Sequence, residues 1–408
     1  MTPPDVLGRA GQRRPRPSPN SRAAVLQALR EAGELTVEEV VRHTGISQPT
    51  VLKALAALQK DGVIERHGQG VSTGGRPPTL YRYNPHAGTI LGVEVELPLV
   101  RVTLTDLTGT VLVAGHWPLD LGMEAPRLVE DLSAGLQTFV DRHSPGLPPL
   151  QACGLAVSGF IDQGRGLWLS TPRVPGLRDW PILRHLQTAL RVPVHLIHQI
   201  DALTLAEAGR WEGPSDQPFL YFDVAQGIGL RLMRAGVPFT GMFGNAGLIG
   251  HTTVVPDGLP CVCGNRGCLE MYASARAFRR LLDEVRGQHP GSALNHPGRP
   301  AELADALRLA EGGDEAAQRL VGQLVSFLGI GVANAVNVFE VTNVVLGGFV
   351  AGGGEAFRRP LLHAVRTRLQ PILGRELQLV LSTADRDTAA PRGAAQYALR
   401  HAAPPTPA

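Results

Sequence analysis

The 408-residue chain reads as an α/β protein headed by a winged helix-turn-helix. Two patterns carry this reading. Three short helical stretches with capping signals, closed by a hairpin, fill residues 19–85. Beyond Pro85, strand-type runs and helical periodicity interleave in two successive blocks. At 43% hydrophobic and 18% charged the chain can bury two or three ordinary cores and is not intrinsically disordered. No apolar run approaches the roughly 20 residues that cross a bilayer. The first twenty residues are Arg/Pro-rich and lack the apolar core of a secretion signal. A reducing, cytoplasmic setting is therefore expected, in which clustered cysteines serve a metal rather than disulfides.

Charge is uneven: residues 1–85 hold twelve Lys/Arg against seven Asp/Glu, while the remainder is slightly acidic. A basic head on a slightly acidic body suits nucleic-acid binding. Residues 1–18 read as a disordered basic arm. In SRAAVLQALREAG, Ala24, Val25, Ala28 and Leu29 recur at helical spacing and Gly33 ends the helix. TVEEVVRHTG opens with Thr36 as N-cap and Glu39 three residues on, a capping box, and turns at Gly45. ISQPTVLKALAALQKDG has Ser47 as N-cap, an early proline, and Val51, Leu52, Leu55 and Leu58 facing inward. This third helix is the expected recognition helix. Its N-terminal residues Ser47, Gln48, Thr50 and Lys53 are the expected contacts to base edges and phosphates of double-stranded operator DNA. VIERHGQGVSTGGRPPTLYRYNP reads as a hairpin wing around a Gly-rich loop, with Gly-flanked Arg76 either entering a narrow minor groove or serving as an ordinary linker charge. A protein-interaction or purely structural three-helix module is the competing reading of the head.

From residue 86 the chain predicts two α/β lobes, 86–200 and 201–387, and a C-terminal helix and tail over 388–408 that returns to the first lobe. TILGVEVELPLVRVTLTDLTGTVLVAGHWPL gives three strands, LVEDLSAGLQTFVDRH a helix and ACGLAVSGFID a strand. The second block runs from PFLYFDV through GIGLRLMRAGVPFTG to VTNVVLGGFV and further helices. A ligand is expected in the cleft between the lobes.

GHTTVVPDGLPCVCGNRGCLE at 250–270, together with VANAVNVFEVTNVVLGGFVAGGG, resembles the ROK family of repressors and sugar kinases. With the head domain, the chain is similar to that family's xylose and N-acetylglucosamine repressors, over residues 20 to about 400. The resemblance implies an actin-like, ribonuclease-H-like body, and a winged helix that leaves operator DNA when effector state changes. It also implies that His251, Cys261, Cys263 and Cys268 hold structural Zn2+, a Cys3His set suited to tetrahedral coordination. Reduced structural cysteines, or a catalytic zinc with an open position, are the alternatives. Cys153, alone in an apolar strand, reads as a small core residue.

The kinase machinery that the resemblance would supply is altered. Where the family has an Asp-x-Gly-Gly-Thr phosphate loop, residues 94–98 read EVELP, with two carboxylates and a proline lacking an N–H. The family's catalytic Asp aligns with Gln199, which has no useful basicity, and a phosphate-contacting Thr with Gln226. No catalytic residue is assigned, and the protein is expected not to be an enzyme. The sugar contacts are also changed: the family's Asn-Asp pair becomes His198 and Gln199, an acidic residue becomes Leu248, and a loop Asn becomes Arg173. His251 and Glu270 remain. Arg173, His198, Gln199, Asn245, His251 and Glu270 are thus the expected effector-binding set, either for an atypical carbohydrate or for a ligand carrying carboxylate or phosphate; the other reading is that no small molecule binds. Because one winged helix offers few contacts, a homodimer or higher homo-oligomer on a palindromic operator is expected.

Overall fold

The structure, a computed structural model, describes residues 21–401 apart from 71–76, 123, 175, 212, 215–216 and 296–301. The chain divides between Ala87 and Gly88 into two compact units.

In the first unit, α1 (Ser21–Ala32), β1 (Glu34–Thr36), α2 (Val37–Thr44), α3 (Gln48–Lys60), β2 (Ile64–Gln69) and β3 (Thr79–Tyr83) follow in order. Val25, Leu29, Val40, Val51, Leu55 and Leu58 form the small core. Thr36 caps α2 reciprocally: its Oγ1 accepts from the Glu39 N–H at 3.3 Å, and Glu39 Oε2 accepts from the Thr36 N–H at 2.7 Å. Gly45 ends α2 at φ 66°, a left-handed conformation that glycine adopts without strain. One expectation is corrected here. Leu52 is 45% exposed, since a step of about 100° per residue carries it off the stripe formed by Val51, Ala54, Leu55 and Leu58. Strand β1 was not foreseen. It pairs antiparallel with β3 to give a sheet of order β1-β3-β2, and its three residues are too few to display alternation.

The second unit begins with the antiparallel meander β4 (Thr89–Glu96), β5 (Leu99–Asp106) and β6 (Val111–Pro118). Then come α4 (Ala125–His143), β7 (Leu150–Val157), the hairpin β8 (Phe160–Asp162) and β9 (Leu167–Ser170), α5 (Ile182–Leu190), β10 (Val194–His198) and α6 (Gln199–Ala208). Parallel pairing of β7 with β4 and of β10 with β7 completes a five-stranded sheet of order β10-β7-β4-β5-β6. The second lobe holds β11 (Phe219–Val224), β12 (Ile228–Arg234), β13 (Val237–Pro238), α7 (Glu270–Ala273), α8 (Ala275–Gln288), α9 (Leu303–Glu311), α10 (Glu315–Phe339), β14 (Asn343–Gly348), α11 (Gly354–Arg366), α12 (Pro371–Glu376) and β15 (Gln378–Leu381). Its sheet has the order β13-β12-β11-β14-β15.

Helix α10 is long and apolar enough by composition to cross a membrane. It instead buries Leu320, Leu324, Leu328, Val332 and Val336 in the second lobe's core. Helix α13 (Ala389–His401) returns to the first sheet. A Cβ at Gly92 would stand 1.9 Å from the Pro391 carbonyl oxygen, and one at Gly154 1.9 Å from that of Ala394. Those two glycines let α13 lie directly on β4 and β7. Because α13 also packs on α6, it braces the junction where β10 delivers His198 and Gln199 to the cleft.

Candidate functional site

Ser47, Gln48, Thr50 and Lys53 are all exposed around the start of α3, and the Ser47 and Thr50 hydroxyls lie 2.9 Å apart. Arg76 lies outside the described residues. Arg66, exposed on β2, adds a basic side chain to the wing that the sequence reading did not single out.

In the 250–270 loop, His251 ends a short 3-10 turn, and a turn closed by the Gly264 N–H on the Cys261 carbonyl (3.0 Å) folds the chain back so that Cys268 returns beside Thr253. The ligand atoms of His251, Cys261, Cys263 and Cys268 all lie within 4.8 Å of one another. Cys261 Sγ is 3.6 Å from His251 Nδ1, and Cys263 Sγ is 3.7 Å from Cys268 Sγ. The group can therefore hold a metal ion. Cys268 leads straight into fully buried Leu269 and then α7, so the loop is fastened to the second lobe's core. Cys153 is buried in β7, apart from this cluster.

Between the two lobes lies a cavity of about 230 Å³ lined by Arg173, His198, Gln199, Asn245, His251 and Glu270, among others. The cavity brings the six expected effector residues together, but most of their polar atoms already have partners. His198 is the N-cap of α6, with Nδ1 accepting from the Ile200 N–H at 3.2 Å. Burial, helped by the Arg231 charge, pushes this imidazole down to about 4, so it is neutral at physiological pH. Gln199 Nε2 donates to Glu94 Oε1 at 2.6 Å. Asn245 grips the backbone of Ile161 in the opposite lobe, accepting from its N–H at 3.2 Å and donating to its carbonyl at 3.0 Å. Glu270 accepts from Cys261 Sγ at 3.1 Å and lies 3.5 Å from His251 Nδ1. Beneath the cavity, fully buried Arg231 pairs with Asp201 of α6 and donates to the Ala246 and Phe239 carbonyls at 2.5 and 3.3 Å, which holds the loop bearing Asn245. Burial raises Asp201 to about 7 against the pull of that arginine.

The end of β4, which carries Glu94 and Glu96, is met by the protein's own arginines. Arg101 Nη1 donates to Glu94 at 2.9 Å and to Glu96 at 3.0 Å, while its Nε donates to Asp387 at 3.1 Å. Arg386 spans the lobes, donating to Asp223 of β11 at 2.6 Å and to Glu96 at 3.1 Å. Burial first, and then the Glu96 charge, raises Glu94 to about 7. Sequence reasoning saw the two carboxylates but missed Arg101, Arg386 and Asp223. The Arg386 contact, 290 residues from Glu96, leaves no local signal, whereas Arg101, opposite Glu94 in the β4–β5 pairing, was open to a hairpin reading.

Comparison with known proteins agrees with this architecture. The ROK family pattern matches residues 91–401, and that of bacterial regulatory proteins of the arsR family matches residues 20–66. The xylose repressor of Bacillus spizizenii is 26% identical over 88% of this chain and 90% of its own. A crystal structure of a ROK family transcriptional regulator, a homologue of the E. coli MLC protein, superposes with a TM-score of 0.81 over 93% of this chain and 96% of that one, at 20% identity. The ROK hexokinase of Thermus thermophilus is 30% identical, with a TM-score of 0.61 over 76% of this chain and 97% of that one. A body of two five-stranded sheets around a cleft, a Cys/His loop on the second lobe and a family match across residues 91–401 make this chain a member of the ROK family.

Proposed function

We propose that the protein is a cytoplasmic, DNA-binding transcriptional regulator, in the manner of the family's repressors. It acts as a homodimer on a palindromic operator and takes a small-molecule effector in the interlobe cleft. The observation that carries this reading is the helix-turn-helix head, whose α3 offers exposed Ser47, Gln48, Thr50 and Lys53 at its start while its opposite face forms the core. The xylose repressor's name supports the same role.

The likeness to a hexokinase is outweighed by the chemistry of the cleft. Phosphoryl transfer needs donors for phosphate oxygens and a base for the sugar hydroxyl. Here the end of β4 offers Glu94 and Glu96, both held by arginines, and the base position is an amide bonded to Glu94. No phosphoryl transfer is proposed.

The metal we assign to the loop is structural zinc. Tetrahedral Zn–S bonds of about 2.3 Å place neighbouring sulfurs about 3.8 Å apart, and the Cys263–Cys268 separation of 3.7 Å fits. All four positions would be filled by protein, so zinc would fasten the loop to α7.

Operator binding tests the reading. The full-length protein should bind its own promoter fragment far more tightly than a random duplex. Lys53→Ala should weaken binding and reduce the slope of log affinity against log salt by about one, because each phosphate contact releases about one counterion. Equal affinity for random DNA would overturn the proposal, and an unchanged slope would remove Lys53 from the contacts.

A further inference from the structure

We infer that the effector is an anion of monosaccharide size, a sugar phosphate or sugar acid, held between Arg173 of the first lobe and Arg276 of the second. The inference rests on the reading of the cleft as the regulator's effector site and names what that site selects.

The argument is an accounting of the cavity's polar groups. The carboxylates of Glu96 and Asp223 are taken up by Arg386, the Gln226 carbonyl accepts from Arg279 at 2.6 Å, and the Asn245 amide is spent on Ile161. His198 is neutral and caps α6, and Glu270 faces the metal-ligating atoms. Arg173 and Arg276 also line the cavity. Among the described residues, neither makes an ion pair or side-chain hydrogen bond there. An exposed arginine alone would mean little. These two stand on firm backbone on opposite sides of one cleft. Thr171, buried, forms a bridge with Val174 that fixes the Arg173 turn. The Ala275 N–H donates to the Ala225 carbonyl at 2.8 Å, and the Ser274 hydroxyl caps α8, which fixes Arg276 in its first turn.

The remaining lining agrees. Leu248, 46% exposed at the cavity, presents an apolar surface where an acidic side chain would repel an anion. The volume, about 230 Å³, falls below the ~300–1,000 Å³ of sites for drug-sized ligands and suits a single ring. Guanidinium groups bind phosphate and carboxylate in bidentate fashion, so the two arginines select charge before ring stereochemistry. An anion touching both would also tie the lobes together.

Isothermal titration of the full-length protein with glucose, glucuronate and glucose 6-phosphate tests this, with operator binding measured on the same preparation without ligand. One of the two acids should bind at least about tenfold more tightly than glucose, and which one it is separates carboxylate from phosphate. Arg173→Met and Arg276→Met should each weaken that binding about tenfold or more, and Arg173→Lys should retain part of it. Both side chains are exposed and make no ion pair or side-chain hydrogen bond among the described residues, so the variants should keep the wild-type melting temperature. Glucose binding as tightly as either acid, neither acid binding, or full affinity in both Met variants would overturn the inference. Intact operator binding in those cases would leave the regulator reading standing, whereas its loss would strike that reading instead.

Discussion

His198 shows how one substitution changes what a position can do. Its ring is half-buried at the start of α6, where Nδ1 must stay unprotonated to accept the Ile200 N–H. An imidazole held down at about 4, against an ordinary 6.5, contributes stability that is complete above pH 6.5 and is lost as pH falls from 6.5 toward 4. At 1.36 kcal/mol per unit this is on the order of 3 kcal/mol. Glu94 and Asp201, raised to about 7, act in the opposite sense, their contribution declining as pH rises from about 4 to 7. His198→Asn isolates the histidine, since asparagine preserves an N-cap acceptor and does not titrate. Melting temperatures from pH 4 to 8 should show a shallower acid decline for the variant than for the wild type. Parallel curves would mean that the imidazole is not the titrating group. That His198 and Gln199 sit in the cleft was legible from the sequence through the resemblance, because both align with the family's Asn-Asp pair. That the His198 imidazole is held neutral was not, since burial and the Arg231 charge act on it only in the folded protein.

The 250–270 loop gathers four side chains able to ligate a metal and is closed by backbone hydrogen bonds, Val254 N–H to the Gly267 carbonyl at 2.8 Å and Cys261 N–H to the Asn265 carbonyl at 2.9 Å among them. It contributes a 3-10 turn and isolated bridges rather than a strand or long helix, yet it delivers fully buried Leu269 to the core beside α10. Removing the proposed zinc should therefore be felt beyond the loop. Elemental analysis of purified protein should find one zinc per chain, and a thiol-competing chelator or Cys268→Ser should release it. The same treatments should lower the melting temperature and raise hydrogen exchange in α7 and the start of α8. Full occupancy with no change in exchange would make the metal ornamental. This element was readable because its ligands fall within 18 positions of the chain, as was the capping box at Thr36 and Glu39. Strand β1 was hidden for the opposite reason, being defined by its partner β3 rather than by its own three residues. Leu52 was misplaced because the buried stripe of α3 runs through Val51, Ala54, Leu55 and Leu58, and a step of about 100° from Val51 carries Leu52 off it.

At the scale of the whole ROK body, the lobes are joined by Asn245 on Ile161 along one wall and by Arg386 between Glu96 and Asp223 along another. The second contact stands beside the β4–β5 turn, so the charges that meet there belong to the protein itself. Removing one member of a fully buried ion pair costs about 3–5 kcal/mol, because the partner charge is stranded. Arg386 keeps 33% of its side chain exposed, so water re-solvates part of what is left and the expected loss is smaller, on the order of 2–3 kcal/mol. Arg386→Met should lower the melting temperature and raise hydrogen exchange at the β4–β5 turn and at the end of β11. It should still release no ADP when supplied with ATP and a hexose panel, because opening the latch restores neither a base at Gln199 nor an N–H at Pro98. If exchange at both turns stays at the wild-type level, the lobes are held by something other than this arginine. If ADP appears, Gln199 and the β4–β5 carboxylates are not what keeps the cleft from transferring phosphate.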